Sequence, residues 1–245
     1  MKHIVSFSGG KDSTAMLLIM LEKGWQVDEV VFCDTGMEFP GMYKHIDQVE
    51  KRIERKIKRL TPEKSFHYYM FEHVKQKGKN MGHKGYGWPT AMGRWCTDRL
   101  KVRPTKRYLK GNKNVVLCLG IAADEAERTA TKTKEAVNSE KVAYPLVEWG
   151  MTEKECLEYC YREGFDWNGL YEQFNRVSCW CCPLQPRSSF KALRTYHPDL
   201  WNELIEMDKL SSNSIKSYTT LAKIEKQIQA EERQISIFQF GEATK

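Results

Sequence analysis

The stretch His3-Ile4-Val5-Ser6-Phe7-Ser8-Gly9-Gly10-Lys11-Asp12-Ser13 decides the fold, because a short apolar run passes through a glycine pair into a helix. The first five of these residues have the length and character of a buried strand. The helix that follows, Thr14 to Lys23, is apolar on nearly every side, and Gly24 is suited to end it. A strand joined to a helix in this way predicts the start of a βαβ unit.

The glycine turn also predicts an anion site. Successive backbone N–H groups can point at one anion there, the helix N-terminus adds partial positive charge, and Lys11 adds a full charge. Ser8 and Ser13 supply hydroxyl donors. The spacing matches neither the Walker P-loop nor the dinucleotide fingerprint. A plain turn is the alternative for a lone glycine pair, but six such residues after the first strand favour the anion site.

The rest of the chain alternates between strand and helix patterns. Further strands are predicted at Glu29–Cys33, Phe66–Phe71, Asn114–Ile121 and Val142–Trp149. A helix after Pro40 is predicted to carry one apolar stripe, formed by Ile46, Val49, Ile53, Ile57 and Leu60. Its basic faces are interpreted as solvated, with nucleic-acid contact as the alternative. Thr152 and Glu155 form a capping box that opens a helix reaching about Gly164.

This order of elements predicts an α/β fold with a doubly wound, mostly parallel sheet and a helical C-terminal appendage. We expect a nucleotide-binding domain over residues 1–187 and a helical extension over residues 188–245. Cys33 and Cys118 lie in predicted strands and are expected to be buried thiols. Cys156 and Cys160 share a helix face and are expected to lie in the core, with completion of a metal site as the lesser alternative.

Composition narrows the class of protein. The chain has 245 residues, 41% of them apolar, a net charge of +7, and no apolar run long enough to span a membrane. The apolar stretch at the N-terminus is too short for a secretory signal, so we expect a cytoplasmic protein without membrane contact. Its eight cysteines are then expected to be thiols, metal ligands or catalytic groups rather than disulfides.

Residues 77–89 combine four glycines, three lysines and two aromatic residues. Two interpretations stay open. The segment is either a functional lid or nucleic-acid surface, with rings that stack on bases and lysines that meet phosphates, or a flexible connection.

Several motifs appear in one order along the chain: Ser8 to Ser13, Cys33 to Pro40, Gly93 to Thr97 with Leu100 and Lys101 following, Gly120 to Arg128, Tyr144 to Leu146, and Cys179 to Pro183. Together they resemble the PP-loop ATP pyrophosphatases, in particular the phosphoadenosine phosphosulfate (PAPS) reductase family. The resemblance covers about residues 1–190 and implies an adenine nucleotide alpha-hydrolase-like fold. It implies a mononucleotide, either ATP or the sulfonucleotides PAPS and APS, at the carboxyl ends of the strands.

The resemblance also implies site residues. The phosphates would be held by Ser8, Gly9, Gly10, Lys11, Asp12 and Ser13, with Lys11 and Asp12 in catalytic roles. Asp34, together with Gly36 two residues later, would bind Mg²⁺ or the nucleotide. The structural alternative for Asp34 is an Asx turn. Gly120 and Ile121 would approach the adenine through their backbone. Lys101 and Arg128 would neutralise phosphate or sulfate, although either cation could instead be solvated.

Cys179 and Cys182 form a C-x-x-C pair that can place two thiolates on one metal. The family motif would bring Cys96 close as a third ligand, with Cys181 as a fourth ligand or a sulfur carrier. A [4Fe–4S] cluster and tetrahedral Zn²⁺ are both compatible with this set. Cys96 and Cys181 are also the candidate catalytic thiols.

The sequence departs from the family pattern at three places. PAPS reductases use a nucleophilic cysteine near the C-terminus, and no cysteine follows Cys182 here. The family's arginine and serine in the fourth motif are Ala122 and Ala126. Our first hypothesis is therefore ATP-dependent adenylation with sulfur transfer to an acceptor such as tRNA or DNA, with a sulfur-donor protein as partner. Sulfonucleotide reduction is the second, and a regulatory nucleotide-binding protein with structural zinc is the third. A homodimer is left open.

Overall fold

In a computed structural model, the chain is described over residues 1–111, 114–129 and 141–242, with side chains as far as residue 233. The five strands are β1 (Lys2–Phe7), β2 (Glu29–Cys33), β3 (Lys58–Leu60), β4 (Val115–Leu119) and β5 (Lys141–Ala143). The longer helices are α1 (Lys11–Glu22), α2 (Pro40–Arg52), α4 (Arg103–Leu109), α6 (Glu153–Arg162), α8 (Arg187–Tyr196), α9 (Pro198–Leu210) and α10 (Leu221–Glu242). Short α-helical turns are α3 (Trp95–Thr97), α5 (Pro145–Glu148) and α7 (Leu170–Gln173).

The sheet is entirely parallel, in the order β3-β2-β1-β4-β5. The central strand β1 is the most deeply placed, with Ile4 and Val5 fully buried. Helix α1 can be apolar nearly all round because the sheet covers one side and α6 covers another. The predicted α/β fold with a doubly wound sheet and a helical C-terminal region is confirmed.

Two compact units can be distinguished. The first unit contains Met1–Ser65, Cys96–Glu172 and Arg176–Cys179, and so holds the whole sheet. The second unit contains Phe66–Trp95, Gln173–Asn175 and Trp180–Lys245. Inside the second unit, α10 buries Leu221, Ile224 and Ile228, the thin apolar stripe of its sequence. The predicted boundary at residues 187 and 188 stays a prediction.

Three predicted elements are corrected. Helix α2 ends at Arg52, because Glu54 takes a left-handed conformation (φ 51°), and the expected stripe residues Ile57 and Leu60 belong to the connection and to β3. Leu60 instead pairs with Cys33 of β2. After the helix has ended, Ile57 is buried from the connection and Leu60 from β3, whose hydrogen-bond partner is β2.

Phe66–Phe71, predicted as a strand, contains a π-helical turn over Tyr68–Glu72. Its buried members, Phe66, Tyr69 and Met70, lie three and four positions apart from the first, which is a helical pattern. The strand predicted to run from Val142 to Trp149 ends at Ala143, because Pro145 lacks an N–H and starts α5.

The capping box is confirmed: Thr152 accepts from the Glu155 backbone, and the Glu155 side chain accepts from Thr152. Asp124 to Glu140, whose polar and charged sequence predicts a position at the surface or over a site, falls partly outside the described residues. In the second unit, Trp88 of the segment 77–89 is buried at 2% exposure, and Tyr86 is half-buried. No helix in the described part of the chain is both long and apolar enough to cross a membrane.

Candidate functional site

The topology places a crevice at the carboxyl ends of β1 and β4. The chain runs from β1 to β2 on one side and later to β4 on the other, so this is the switch point of the sheet, where such folds bind ligands. Gly120 follows β4 directly, and a Cβ atom there would lie 2.9 Å from both Cα and N of Ser13. Only glycine therefore allows the end of β4 to approach the phosphate loop, residues 8–13, so closely.

A cavity of about 430 Å³ opens at this switch point. Its volume suits a small-molecule ligand. Many of the sequence-predicted site residues line it: Ser8, Gly10, Lys11, Asp12, Ser13, Lys101, Gly120, Ile121 and Arg128. Apolar side chains supply another part of the wall, namely Phe7, Phe32, Leu109, Leu117, Leu119 and Val142. The cavity thus combines a polar end at the loop with an apolar surface that a purine can contact.

Two serines shape the phosphate loop. The Ser13 hydroxyl accepts from the Ser8 backbone N–H at 3.1 Å, donates to the Gly10 carbonyl at 3.0 Å, and lies 3.0 Å from the Ser8 hydroxyl. Gly10 precedes α1 without a side-chain cap. Gly9 is left-handed (φ 79°), and a Cβ there would lie 2.4 Å from Sδ of Met42. The loop conformation therefore requires glycine at position 9.

Lys11 is buried and already paired. Its Nζ lies 2.5 Å from Oε2 of Glu153 and 3.4 Å from Oδ1 of Asp12, while its backbone N–H donates to the Tyr171 hydroxyl at 2.9 Å. Burial lowers the pKa of Lys11, but the hydrogen bond and charge of Glu153 and the charge of Asp12 outweigh burial and raise it. Lys11 is therefore a permanent cation, and a phosphate must share it with Glu153.

Asp12 is the titratable group of the loop. Burial raises the pKa of Asp12 to about 6, with Glu153 and Glu125 adding to the rise and Lys11 opposing it. Its Oδ1 atom has no hydrogen-bond partner among the described residues. Asp12 can therefore hold or release a proton near neutral pH, beside the place where phosphate charge would enter.

Residues 167–169, which follow α6 and which we call the strap, contact the phosphate loop. The Trp167 indole N–H donates to the Gly9 carbonyl at 2.7 Å, and Trp167, Asn168 and Gly169 are consecutive left-handed residues. Trp167 stacks on His45 at 4.3 Å between ring centroids. His45 Nε2 lies 2.9 Å from the Thr14 hydroxyl, and burial lowers the pKa of His45 to about 3. A neutral imidazole and an indole thus fix the start of α1.

Sequence reasoning missed Glu153, Trp167 and Tyr171 as parts of this site. They lie more than 140 residues along the chain from their loop partners, and no local pattern links them. Glu153 follows the capping residue Thr152, and the capping pattern predicts only that a helix begins there. The pair Asn168-Gly169, two residues before Tyr171, is a local sequence signal of a turn.

The cations of the cavity fall into two groups. Arg128 is paired with Glu125, and Lys11 with Glu153. By contrast, Lys101, Lys106 and Arg176 line the cavity and form no ion pair with any residue that the structure describes. These three side chains are available to an anionic ligand. Arg176 and Lys106 were not among the predicted residues.

Asp34 and Gly36 do not line the cavity. Asp34 Oδ1 accepts from the Gly36 N–H at 3.0 Å and from the Tyr43 hydroxyl at 2.8 Å. The structural alternative, an Asx turn, is therefore formed. A nucleotide or Mg²⁺ contact by Asp34 stays a prediction.

The cysteines differ in accessibility. Cys156 and Cys160 are fully buried, as predicted for core residues, and so is Cys118, whose thiol pKa burial raises to about 12. Cys33 is half-buried and lines the cavity, 3.3 Å from the Thr105 hydroxyl, so the expectation of a fully buried thiol is wrong there. Its position at the carboxyl end of β2 exposes it to the crevice.

Lys101 connects the cavity with three thiols. Its pKa is raised chiefly by the charge of Cys179, with Glu38, Cys33 and Cys96 adding and burial opposing. Cys179 Sγ lies 3.8 Å from the Thr35 hydroxyl and 3.9 Å from Oε1 of Glu38. Cys33, Cys96 and Cys179 therefore lie close enough to this cavity lysine to affect its pKa.

The structure gives no support to the predicted metal site at Cys96, Cys179, Cys181 and Cys182. Among the described residues no group of three or more histidine, cysteine or carboxylate side chains is placed to hold a metal ion. Cys181 is buried at 1% exposure, while Cys179 has a hydroxyl and a carboxylate as neighbours. The assignment of these four cysteines as metal or cluster ligands stays a prediction.

Comparison with known proteins identifies the family of the chain. Residues 2–185 match the family model of the phosphoadenosine phosphosulfate reductase domain. An uncharacterised protein of Methanocaldococcus jannaschii is 31% identical over 207 residues, which are 82% of this chain and 40% of that protein. Adenosine 5'-phosphosulfate reductase of Anoxybacillus flavithermus is 27% identical over 162 residues, covering 63% of this chain and 61% of the reductase.

The chain spans about half the length of the curated relatives it matches. Among solved structures, phosphoadenylyl-sulfate reductase from Candida auris aligns with a TM-score of 0.48 at 16% identity, over 74% of this chain and 82% of that one. The motif order, the parallel sheet and the match over three quarters of the sequence lead to one conclusion: the chain belongs to the phosphoadenosine phosphosulfate reductase domain family.

Proposed function

We propose that the chain is an enzyme that binds ATP in the switch-point cavity and uses it to adenylate an acceptor, which then receives sulfur. The observation that carries this proposal is the cavity itself, where the phosphate loop, an apolar wall and three cations without an ion-pair partner among the described residues meet. The loop amides and Lys11 suit the phosphates, and the apolar wall suits the base. Lys101, Lys106 and Arg176 can neutralise the phosphate chain.

The proposed reaction has two steps, adenylation of the acceptor and sulfur transfer to it. An acceptor oxygen attacks the α-phosphorus of ATP, the bond from α-phosphorus to the bridging oxygen breaks, and pyrophosphate leaves. A hydrosulfide-level sulfur nucleophile then attacks the activated carbon, and AMP leaves with the oxygen. Asp12 can take the acceptor's proton, because its pKa is near 6. Cys96 and Cys179 are the thiols whose charge reaches the cavity lysine, whereas Cys181 is too buried for this role.

Sulfonucleotide reduction is the second candidate, favoured by the family and by the similar adenosine 5'-phosphosulfate reductase. In that reaction a thiolate attacks the sulfate sulfur and the sulfur–oxygen bond to the nucleotide breaks, so that AMP leaves from APS or adenosine 3′,5′-bisphosphate leaves from PAPS. A second thiol then releases sulfite and forms a disulfide. The same cavity would hold the AMP portion.

Parallel assays distinguish the two reactions. Pyrophosphate release from ATP is measured with tRNA or DNA as acceptor and sulfide as sulfur source, and sulfite release is measured from APS and PAPS with a dithiol. We expect ATP-dependent pyrophosphate release that Lys11→Met abolishes. Sulfite release without ATP turnover would instead establish the second candidate, and pyrophosphate release that survives Lys11→Met would contradict the proposed role of the loop.

The thiols are tested in the same assays. We expect Cys96→Ser and Cys179→Ser to leave pyrophosphate release intact and to raise the sulfide concentration needed for product formation, because these thiols lie near Lys101, where the hydrosulfide would attack. Cys118→Ser, a change in the buried strand β4, is the matched control and should leave both activities in place. Equal loss in all three variants would mean that the effect is one of folding.

A further inference from the structure

The segment from His73 to Thr97 is basic without any compensating acid. It carries Lys75, Lys77, Lys79, Lys84 and Arg94 and no aspartate or glutamate, although the whole chain has 32 acidic residues. Five positive charges in this segment compare with a net charge of +7 for the chain. The charge is therefore concentrated in one place, which is typical of a surface that meets a polyanion.

Residues 73–85 form a hairpin, which we call the basic finger. The Lys75 N–H donates to the His83 carbonyl at 3.0 Å, and the Gly85 N–H donates to the His73 carbonyl at 2.9 Å. Val74 and Lys84 pair as an antiparallel bridge between these bonds. The segment is thus a defined element and not the plain flexible connection that the sequence left open.

The base of the finger is fixed within the second unit. Gly85 is left-handed, and a Cβ there would lie 2.3 Å from the Met70 carbonyl oxygen. Trp88 is buried, donating its indole N–H to Asp208 at 2.8 Å and its backbone N–H to Asn213 at 2.7 Å. Trp88 therefore anchors the base of the finger, and the lysines are its charged side chains.

The finger lysines differ from other cations of the same unit. In α8, Arg187 and Lys191 pair with Glu231, and Arg194 pairs with Glu225. None of the four finger lysines forms an ion pair with a residue in the described ranges. Lys77, Lys79 and Lys84 are exposed. Like charges held together in this way repel one another, so an external anion would relieve that repulsion.

We propose that the basic finger binds the phosphate backbone of a nucleic acid. Lysines on a hairpin offer charge at intervals to a chain of phosphates. Contacts to phosphates carry no information about the bases, so binding is expected to be independent of sequence. The inference rests on the proposed function and deepens it by naming the class of acceptor. Its test measures binding without nucleotide, so either proposal can fail alone.

The test is fluorescence anisotropy of a labelled single-stranded oligonucleotide titrated with the full chain, at NaCl concentrations from about 50 to about 200 mM. The finger variant carries Lys75→Ala, Lys77→Ala, Lys79→Ala and Lys84→Ala. The matched control carries Lys51→Ala, Lys154→Ala, Lys209→Ala and Lys223→Ala, four lysines removed elsewhere for the same change in net charge. Circular dichroism establishes that both variants remain folded.

We expect the finger variant to bind at least about tenfold more weakly at the lower salt concentration. Its plot of log affinity against log salt should be flatter by about 0.7 for each phosphate that the finger no longer neutralises. The control should keep the wild-type slope. Equal weakening in both variants would mean that only net charge matters and would overturn the proposal. Wild-type binding to phosphatidylserine vesicles but not to the oligonucleotide would overturn it too.

Discussion

The Nζ atom of Lys11 lies 2.5 Å from the Oε2 atom of Glu153, so the main cation of the phosphate loop is paired with a carboxylate before any ligand arrives. An anionic ligand has to compete with Glu153 for Lys11. We expect Glu153→Gln to bind inorganic pyrophosphate about two- to fivefold more tightly, because removing a partly exposed ion pair of this kind is worth up to about 1 kcal/mol. Isothermal titration calorimetry measures the change.

Glu158→Gln is the control for that variant, since Glu158 is on the same helix, more exposed, and paired with Lys154. It should leave pyrophosphate affinity unchanged. Weaker binding by Glu153→Gln would show that Glu153 orders Lys11 for the ligand and does not compete with it.

Gly120 sets the distance between β4 and the phosphate loop. Gly120→Ala would place a Cβ 2.9 Å from the Ser13 backbone, which must move. We expect loss of nucleotide binding and a decrease in the free energy of unfolding of about 1–3 kcal/mol. Gly111→Ala is the comparison, since its Cβ would meet no atom closer than 4.0 Å. Urea unfolding and an ATP titration of both variants test this; unchanged ATP affinity in Gly120→Ala would contradict the placement of the ligand.

Trp167 supports the loop through one hydrogen bond. Trp167→Phe keeps an aromatic ring against His45 but leaves the buried Gly9 carbonyl without its donor. The expected loss of stability is about 1–3 kcal/mol, together with weaker pyrophosphate binding. Trp149→Phe removes an indole that contacts Trp25 and should leave pyrophosphate binding intact. Equal pyrophosphate affinity in the two variants would show that the strap does not support the loop.

Asp12 makes stability depend on pH in a defined direction. Its pKa is raised from 3.8 to about 6 in the folded chain, so its contribution to stability is fully present below pH 3.8 and is lost as the pH rises through 6. The free energy of unfolding of Asp12→Asn, relative to that of the wild type, should therefore rise by about 2–3 kcal/mol between pH 4 and pH 7. Urea unfolding of both proteins across this range gives the difference, and a difference that does not vary with pH would contradict the raised pKa.

The central strands and the loop could be predicted from sequence because their signals are local. An apolar run, a glycine pair and an apolar helix fix β1, the loop and α1, and the ordered motifs indicated the family. The prediction failed where local patterns are ambiguous. Ile57 and Leu60 keep helical spacing after a left-handed Glu54 has ended the helix, and Val142 to Trp149 is apolar beyond the proline that ends β5.

The sequence predicted the site residues that belong to recognisable motifs and not the residues that pack against the loop from distant parts of the chain. Lys101, Gly120 and Arg128 were found through their motifs, and the structure places them on the cavity wall. Glu153 and Tyr171 could not be found in this way, because tertiary packing alone brings them to Lys11.

The central claim is that the cavity between β1 and β4 holds an adenine nucleotide with its phosphates on residues 8–13. A crystal structure with an ATP analogue that carries a methylene bridge between the α- and β-phosphorus atoms tests it most directly. We predict phosphate oxygens within hydrogen-bond distance of the loop N–H groups, and Lys101 or Arg176 on the phosphate chain. A nucleotide bound outside this cavity, or bound with its phosphates turned away from Lys11, would contradict the account.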